Sequence, residues 1–299
     1  MQRDESDMGI RSIDARITYL CPGGPAVNRR FVSAGVEVNT GIYAPYPVKV
    51  RDARPISDSF TLDRHGFVLL AHKSAVPDFM DKDAVERIYP DETAAAVKAA
   101  TGADFVAPMG WMVRTSGDLT KYRKPVVGYT HKGGVQPPAG EAHIDISPQR
   151  ADTNARAVYE RFRPNGPGYR RYIYSSFWRP FSEPPQDWPL AVCESSSVRD
   201  DEGVENVLVV TDRIPEGEGL FAPIPGEEKL PAAAIFHHDP AHRWWYFSNM
   251  TRDEALLLKF HDSDRSVAWR TPHTAFQDTS FANPNIRASI EVRSVAFFE

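Results

Sequence analysis

The chain has 299 residues, 41 % of them hydrophobic and 25 % charged, with 35 Lys and Arg against 40 Asp and Glu for a net charge of −5. This is the composition of a folded globular protein, and the length allows one large core. The acidic balance gives no drive toward nucleic acid, two isolated cysteines argue against a disulfide framework or thiol-held zinc, and no apolar run is long enough to span a membrane.

The N-terminal stretch MQRDESDMGIRSIDAR is charged throughout and lacks an apolar signal core, so a soluble, cytoplasmic protein is expected. Residues 1–60, rich in Pro and Gly, read as an irregular arm carrying short strands such as 15–20. Residues 60–71 end in an apolar run that fits a buried strand. A helix follows over 81–100, capped by Asp81, broken at Pro90 and ended near Gly102. Residues 105–114 are strand-like, with Met109, Trp111 and Arg114 as candidate pocket wall, and 115–140 read as a long loop able to act as a lid. A short strand over 142–147 and a helix over 148–162, opened by Pro148, come next. Strands are expected at 171–179, 190–194, 206–211, 232–237 and 243–248. A helix is expected at 251–260, where Thr251 and Glu254 suggest an N-terminal capping box, and final strands at 268–276 and 286–298. Many short strands with few helices predict a mainly β sandwich or barrel with flanking helices. No dinucleotide, P-loop or nucleophile-elbow signature is present.

Two patterns carry chemistry. In Glu141-Ala-His143-Ile-Asp145-Ile-Ser147 a strand would put His143 and Asp145 on one side, as a pair that can share a divalent ion or simply hydrogen-bond at the surface. Near the C-terminus, His273 precedes an alternating strand on which Arg287, Ser289, Glu291 and Arg293 share a face. An Arg with a Ser two residues on can grip a carboxylate, although a solvated charged face reads equally well.

Together, His-x-Asp, a long interval, His, and then Arg-x-Ser follow the order used by iron(II)/2-oxoglutarate oxygenases. The chain resembles the fungal and bacterial secondary-metabolite hydroxylase/desaturase family related to gibberellin desaturase and to the hydroxylase component of cephamycin methoxylation. The segments HGFVLLAHKSAV, TGADFV, AHIDIS, FWRP, DWPLAVCESSSV, HRWWYFSNMTRDEALLLKFHDS, RTPHTAF and RASIEVR carry the resemblance. It departs from the family where Ser175-Ser176-Phe177 stands in place of an Asn before the WRP run, and where Glu194 replaces an Asp, so a relative's substrate does not transfer.

The resemblance implies a double-stranded β-helix, a jelly-roll core of the cupin kind, in a single oxygenase domain over 1–299 with residues 1–60 packed on it. It implies Fe(II) held by His143, Asp145 and His273, with 2-oxoglutarate and O2 as co-substrates and a small-molecule substrate. Arg287 and Ser289 would hold 2-oxoglutarate. Arg179, in the FWRP run, is a further carboxylate contact or else a packed corner. His242 rivals His273, and Arg293 rivals Arg287. The competing readings are an iron oxidase that uses no 2-oxoglutarate, and a jelly-roll metal isomerase or binding protein.

Overall fold

The computed structural model describes residues 10–33, 36–119 and 135–299. In chain order these form β1 (Ser12–Leu20), β2 (Arg29–Ser33), β3 (Val36–Asn39), β4 (Tyr43–Asp52), α1 (Leu62–His65), β5 (Phe67–Ala71), α2 (Lys82–Thr101), β6 (Phe105–Thr115) and β7 (Val135–Gln136). They continue with β8 (His143–Ile144), α3 (Pro148–Phe162), β9 (Arg171–Pro180), β10 (Leu190–Cys193), β11 (Val204–Val210), β12 (Ala232–Ile235), β13 (Trp244–Tyr246), β14 (Glu254–Asp262), β15 (His273–Ala275) and β16 (Ala288–Phe298).

The strands make two sheets. Ten run in the order β1-β4-β13-β10-β15-β8-β12-β11-β2-β3, and six in the order β5-β14-β9-β16-β6-β7. Strand alternation sends successive residues of the smaller sheet to two different cores. Trp178, Leu256 and Leu258 join the core between the sheets, together with Ala151, Ala155 and Val158 of α3. Phe177, Leu257, Ile290 and Val292 join a second core under α2, against Val85, Tyr89 and Val97. The result is the mainly β jelly roll with flanking helices that the sequence predicts. Among the described residues no helix is long and apolar enough to cross a membrane.

Four local expectations are corrected. Residues 251–260 do not form a helix. Glu254 does take the Thr251 backbone N–H at 2.9 Å, but it closes a turn that leads into β14. That strand pairs with β5 on one side and β9 on the other and is buried on both faces, so its apolar run carries no alternation to betray it. Second, α2 runs unbroken through Pro90. Its buried stripe of Val85, Tyr89 and Val97 continues across the proline, and packing both halves on one sheet offsets the missing hydrogen bond. Asp81 caps it as expected, accepting from the Asp83 and Ala84 N–H groups, and Gly102 ends it with φ at 72°. Third, the described part of the first sixty residues is not irregular: β1 to β4 extend both edges of the ten-stranded sheet. Fourth, the strand expected over 142–147 shrinks to His143–Ile144.

Leu257 is fully buried at the centre of β14. Leu257→Ala is expected to cost about 2–5 kcal/mol of stability. Urea denaturation measures it, and a loss under about 1 kcal/mol would contradict the two-sided burial of this strand.

Candidate metal centre

The site begins with one cross-strand pair. β15 and β8 meet at His273 opposite His143, and β10 flanks the pair with Val192 opposite His273. Directly opposed residues point to the same face, so both imidazoles enter the space between the sheets, with ring centroids 4.4 Å apart. Asp145 lies just past the short strand, its Oδ1 3.5 Å from His143 Nε2 and its Oδ2 3.9 Å from His273 Nε2. One donor atom from each of the three falls within 4.8 Å of the others.

Each ring is oriented from behind. The His143 Nδ1 donates to the Glu141 carbonyl at 2.8 Å, which leaves Nε2 as the inward nitrogen, toward Asp145. His273 Nδ1 faces the Thr271 carbonyl at 3.4 Å, and Phe260 stacks on the ring at 5.1 Å. Burial, reinforced by His143, pushes the His273 imidazole down to about 3, so it is neutral. Burial opposes charge on Asp145, but Arg293 and His143 outweigh it and hold the carboxyl well below its ordinary range. Burial also opposes charge on His143, yet the Asp145 hydrogen bond and charge raise it. Asp145 Oδ2 is buried without a hydrogen-bond partner. The inward nitrogens of a neutral His273 and of His143, with an ionised carboxylate between them, thus converge on one point, where a divalent cation would take the place of any proton His143 shares with Asp145.

A cavity opens from this cluster, bounded by His143, His273, Ser176, Trp178, Glu291 and Arg287. Arg287, fully buried, enters it just ahead of β16. Its backbone N–H donates to Asp187 Oδ1 at 2.8 Å and to Ser116 Oγ at 2.9 Å, and Nη1 donates to the Trp188 carbonyl at 2.9 Å. Its Nε and the buried Ser289 Oγ have no hydrogen-bond partner. Burial pushes the guanidinium down to about 9. An anion would satisfy both side chains, as a charge partner for the guanidinium and an acceptor for Nε and the hydroxyl.

The structure brings His143, Asp145 and His273 together and turns Arg287 toward the same cavity. It does not bring Arg179. Although next to Trp178, Arg179 points to the other face of β9, where it donates to Tyr89 Oη at 2.8 Å and to the carbonyls of His72 and Arg252 at 3.0 and 2.9 Å. That placement is a packed corner, away from the cavity. His242 is likewise engaged elsewhere, between Tyr19 Oη at 3.2 Å and Glu202 Oε2 at 2.7 Å. Of the expected pocket wall, Arg114 lines the cavity, Trp111 faces α2 with its Nε1 donating to Glu86 at 2.7 Å, and Met109 is exposed. Leu258 and Leu190 line the cavity without having been expected there; the mistaken helix hid Leu258. Residues 120–134 of the expected lid lie outside the described residues, while Ala139 borders the cavity. Of the two departures from the family pattern, Ser176 faces the cavity, its Oγ buried and without a hydrogen-bond partner. Glu194 does not: it pairs with Arg243 at 2.8 Å and takes the Trp245 indole N–H at 3.2 Å.

Comparison with known proteins agrees with this geometry. The family model described as an oxidoreductase/YMDC permease-like domain matches residues 18–297. The hydroxylase/desaturase CTB9 of Cercospora beticola is 33 % identical over 262 residues, covering 86 % of this chain and 78 % of its own. An alpha-ketoglutarate-dependent dioxygenase, phiK, from a fungal species is 30 % identical and covers 98 % of both chains. The solved structure of the iron and alpha-ketoglutarate-dependent endoperoxidase NvfI superposes with a TM-score of 0.75 at 25 % identity, over 96 % of this chain and 98 % of that one.

Glu194 provides a pH-dependent test of the local ion pair. Burial works against its charge, but hydrogen bonds from Arg243, Ser196 and Trp245 prevail and hold the carboxyl at about 2, against an ordinary 4.5. The folded value lies below the unfolded one, so its stabilisation is complete above pH 4.5 and is lost as pH falls toward 2. Glu194→Gln is expected to lower stability at pH 7 and to flatten the loss between those limits. Denaturation curves at pH 7 and pH 3 that shift the variant and the parent equally would refute this.

Proposed function

The chain belongs to the oxidoreductase family of the fungal hydroxylase/desaturases and 2-oxoglutarate-dependent dioxygenases, and from that premise we propose how its own residues perform the reaction. The protein is a non-haem Fe(II)/2-oxoglutarate-dependent dioxygenase. In our reading His143, Asp145 and His273 hold the iron, and Arg287 with Ser289 holds the distal carboxylate of 2-oxoglutarate. The observation that carries this is one cavity lined by both His143 and His273 and by Arg287, with an unsatisfied acceptor, Asp145 Oδ2, beside the imidazoles and unsatisfied donors at Arg287 Nε and the nearby Ser289 Oγ.

When bound, iron would let O2 act as the oxidant, with two of the electrons it needs coming from oxidative decarboxylation of 2-oxoglutarate to succinate and two from the substrate's carbon–hydrogen bond. The protein's residues do the rest. The Glu141 carbonyl fixes the His143 tautomer, and Phe260 fixes the His273 ring plane. The Trp188 carbonyl and the Asp187 carboxylate lock Arg287 before any ligand arrives, so little side-chain freedom is lost on binding. Trp178 lies 5.8 Å from the Arg287 guanidinium, and with Leu190 and Leu258 it keeps this end of the cavity dry, which strengthens the charge pair.

The substrate in this reading is a small secondary metabolite or an amino-acid-derived molecule, and the outcome is hydroxylation, desaturation or ring closure. The whole chain acts as one oxygenase domain. Two free cysteines, Cys21 and Cys193, fit a reducing cytoplasmic setting.

Two experiments test the assignments. Anaerobic addition of Fe(II) and 2-oxoglutarate is expected to produce a weak visible charge-transfer band, and oxygen is expected to release succinate. His143→Ala, Asp145→Ala and His273→Ala should each abolish the band while circular dichroism stays native, and His242→Ala should keep it. Loss of the band in His242→Ala alone would overturn the triad. Second, Arg287→Ala removes a desolvated charge partner on the order of 2–5 kcal/mol. The apparent KM for 2-oxoglutarate should rise accordingly, with Fe(II) affinity little changed. A large rise in Arg293→Ala and none in Arg287→Ala would transfer the carboxylate to Arg293.

A further inference from the structure

Arg293 stands six residues past Arg287, on the same face of β16, and reaches the metal side of the cavity. Its Nη2 lies 3.2 Å from Asp145 Oδ1 and 3.2 Å from Glu291 Oε1. Glu291 in turn lies 3.6 Å from Arg114 Nη2, and Arg114 is tied by Nη1 to the Pro137 carbonyl at 3.0 Å. A chain of alternating charge, Arg114–Glu291–Arg293–Asp145, therefore ends on one of the three clustered ligand candidates. All four side chains are at most 18 % exposed, so solvent screens them weakly.

Two consequences follow. Arg293 occupies Oδ1 of Asp145 and leaves Oδ2, the oxygen nearer His273, as the unpartnered donor. It also fixes a positive charge beside the place where a dication would sit. That guanidinium lies 3.2 Å from one oxygen of the carboxylate a dication would share, so it opposes a bare dication there, and an anionic co-substrate would offset it.

We propose that Arg293 is a positioning residue that makes metal binding at the His143–Asp145–His273 cluster conditional on the keto acid: it restricts Asp145 to one donor oxygen and disfavours the metal without its anionic co-substrate. The proposal rests on the reading that this cluster holds the iron. Coupling of this kind is reciprocal, so the metal and the keto acid each tighten the other.

The test reads binding, not turnover. Redox-stable Mn(II) is titrated calorimetrically into the full-length metal-free protein, alone, with saturating 2-oxoglutarate, and with 2-oxobutyrate, which chelates through the same keto-acid end but has no distal carboxylate. In the parent protein either keto acid is expected to tighten Mn(II) at least about fivefold. Arg293→Gln should bind Mn(II) alone at least as tightly as the parent and show weaker coupling with both keto acids, the remainder being the keto acid's own bonds to the metal. Arg287→Gln should demand more 2-oxoglutarate for saturation and leave the coupling with 2-oxobutyrate unchanged. Arg293→Lys keeps the charge and should keep the coupling, which leaves the idea testable even if the glutamine variant does not fold. Unchanged coupling in Arg293→Gln, or absent coupling in a folded Arg293→Lys, would overturn the proposal. Loss with 2-oxoglutarate alone in Arg293→Gln would also overturn it, because Arg293 would then be a clamp for the distal carboxylate. If the parent takes up no Mn(II), or His143→Ala takes it up equally well, the underlying metal assignment fails instead.

Discussion

The register that sets His273 of β15 opposite His143 of β8 is the constraint on which the site depends. A slip of one residue on either strand would turn that strand's imidazole out of the interior, because side chains alternate faces along a strand. The pairing is short, three residues in β15 and two in β8, so its position is set by what surrounds it. Val192 of β10 braces one side and Ile235 of β12 the other. The Ala142 N–H donates to the Thr18 carbonyl at 2.9 Å, tying the approach to β8 to the N-terminal strand β1. The first sixty residues thus support the site while contributing none of its clustered ligand candidates.

Charge in this interior is arranged in opposing pairs. Removing ionised groups from water costs several kcal/mol for each ion unless partners replace the water. The protein meets this by threading acids and bases alternately across β6, β16 and the turn after β8. Away from the cavity, Lys259 shows the same solution carried to completion, with bonds to Asp262 at 2.7 Å, Asp63 at 3.1 Å and the Ala268 carbonyl at 3.0 Å. In and beside the cavity, Asp145 Oδ2, Ser176 Oγ, Ser289 Oγ and Arg287 Nε are without partners, as are a few buried atoms elsewhere, such as Thr93 Oγ1 and Thr271 Oγ1. What sets the cavity group apart is that a carboxylate oxygen and a guanidinium nitrogen belong to it, charged groups that a bound ligand would satisfy.

Much of this was legible in the residues. The i, i+2 spacing of His143 and Asp145 reports shared direction on an extended backbone whether or not a long strand forms there. Helix α3 was legible to the residue, because Pro148 opens it and an amphipathic run sustains it. What escaped depended on tertiary context. β14 looks like a helix because both of its faces are buried, so period-two alternation is absent. Arg179 looks like a ligand contact because residue type does not reveal which side of a strand faces the cavity, and the adjacent Trp178 takes the inner face. The charged face of Arg287, Ser289, Glu291 and Arg293 reads equally well as a solvated edge. Only the closing of β6 and β9 on either side of β16 makes it an interior.

The clustered ligand candidates also have a history in time. His143 and His273 stand far apart in the chain, and their strands meet only through the non-local ladder β10–β15–β8–β12. Sheets with such long-range pairings form slowly, since the intervening chain must be organised before the ends meet. During synthesis the His143–Asp145 pair emerges well before His273, Arg287 and Arg293. The complete constellation therefore arises only late in folding, with both sheets already assembled around it. A half-made chain presents two of the three clustered side chains and no buried arginine beside them, so a redox-active ion would find its full seat only in a chain already able to shelter it.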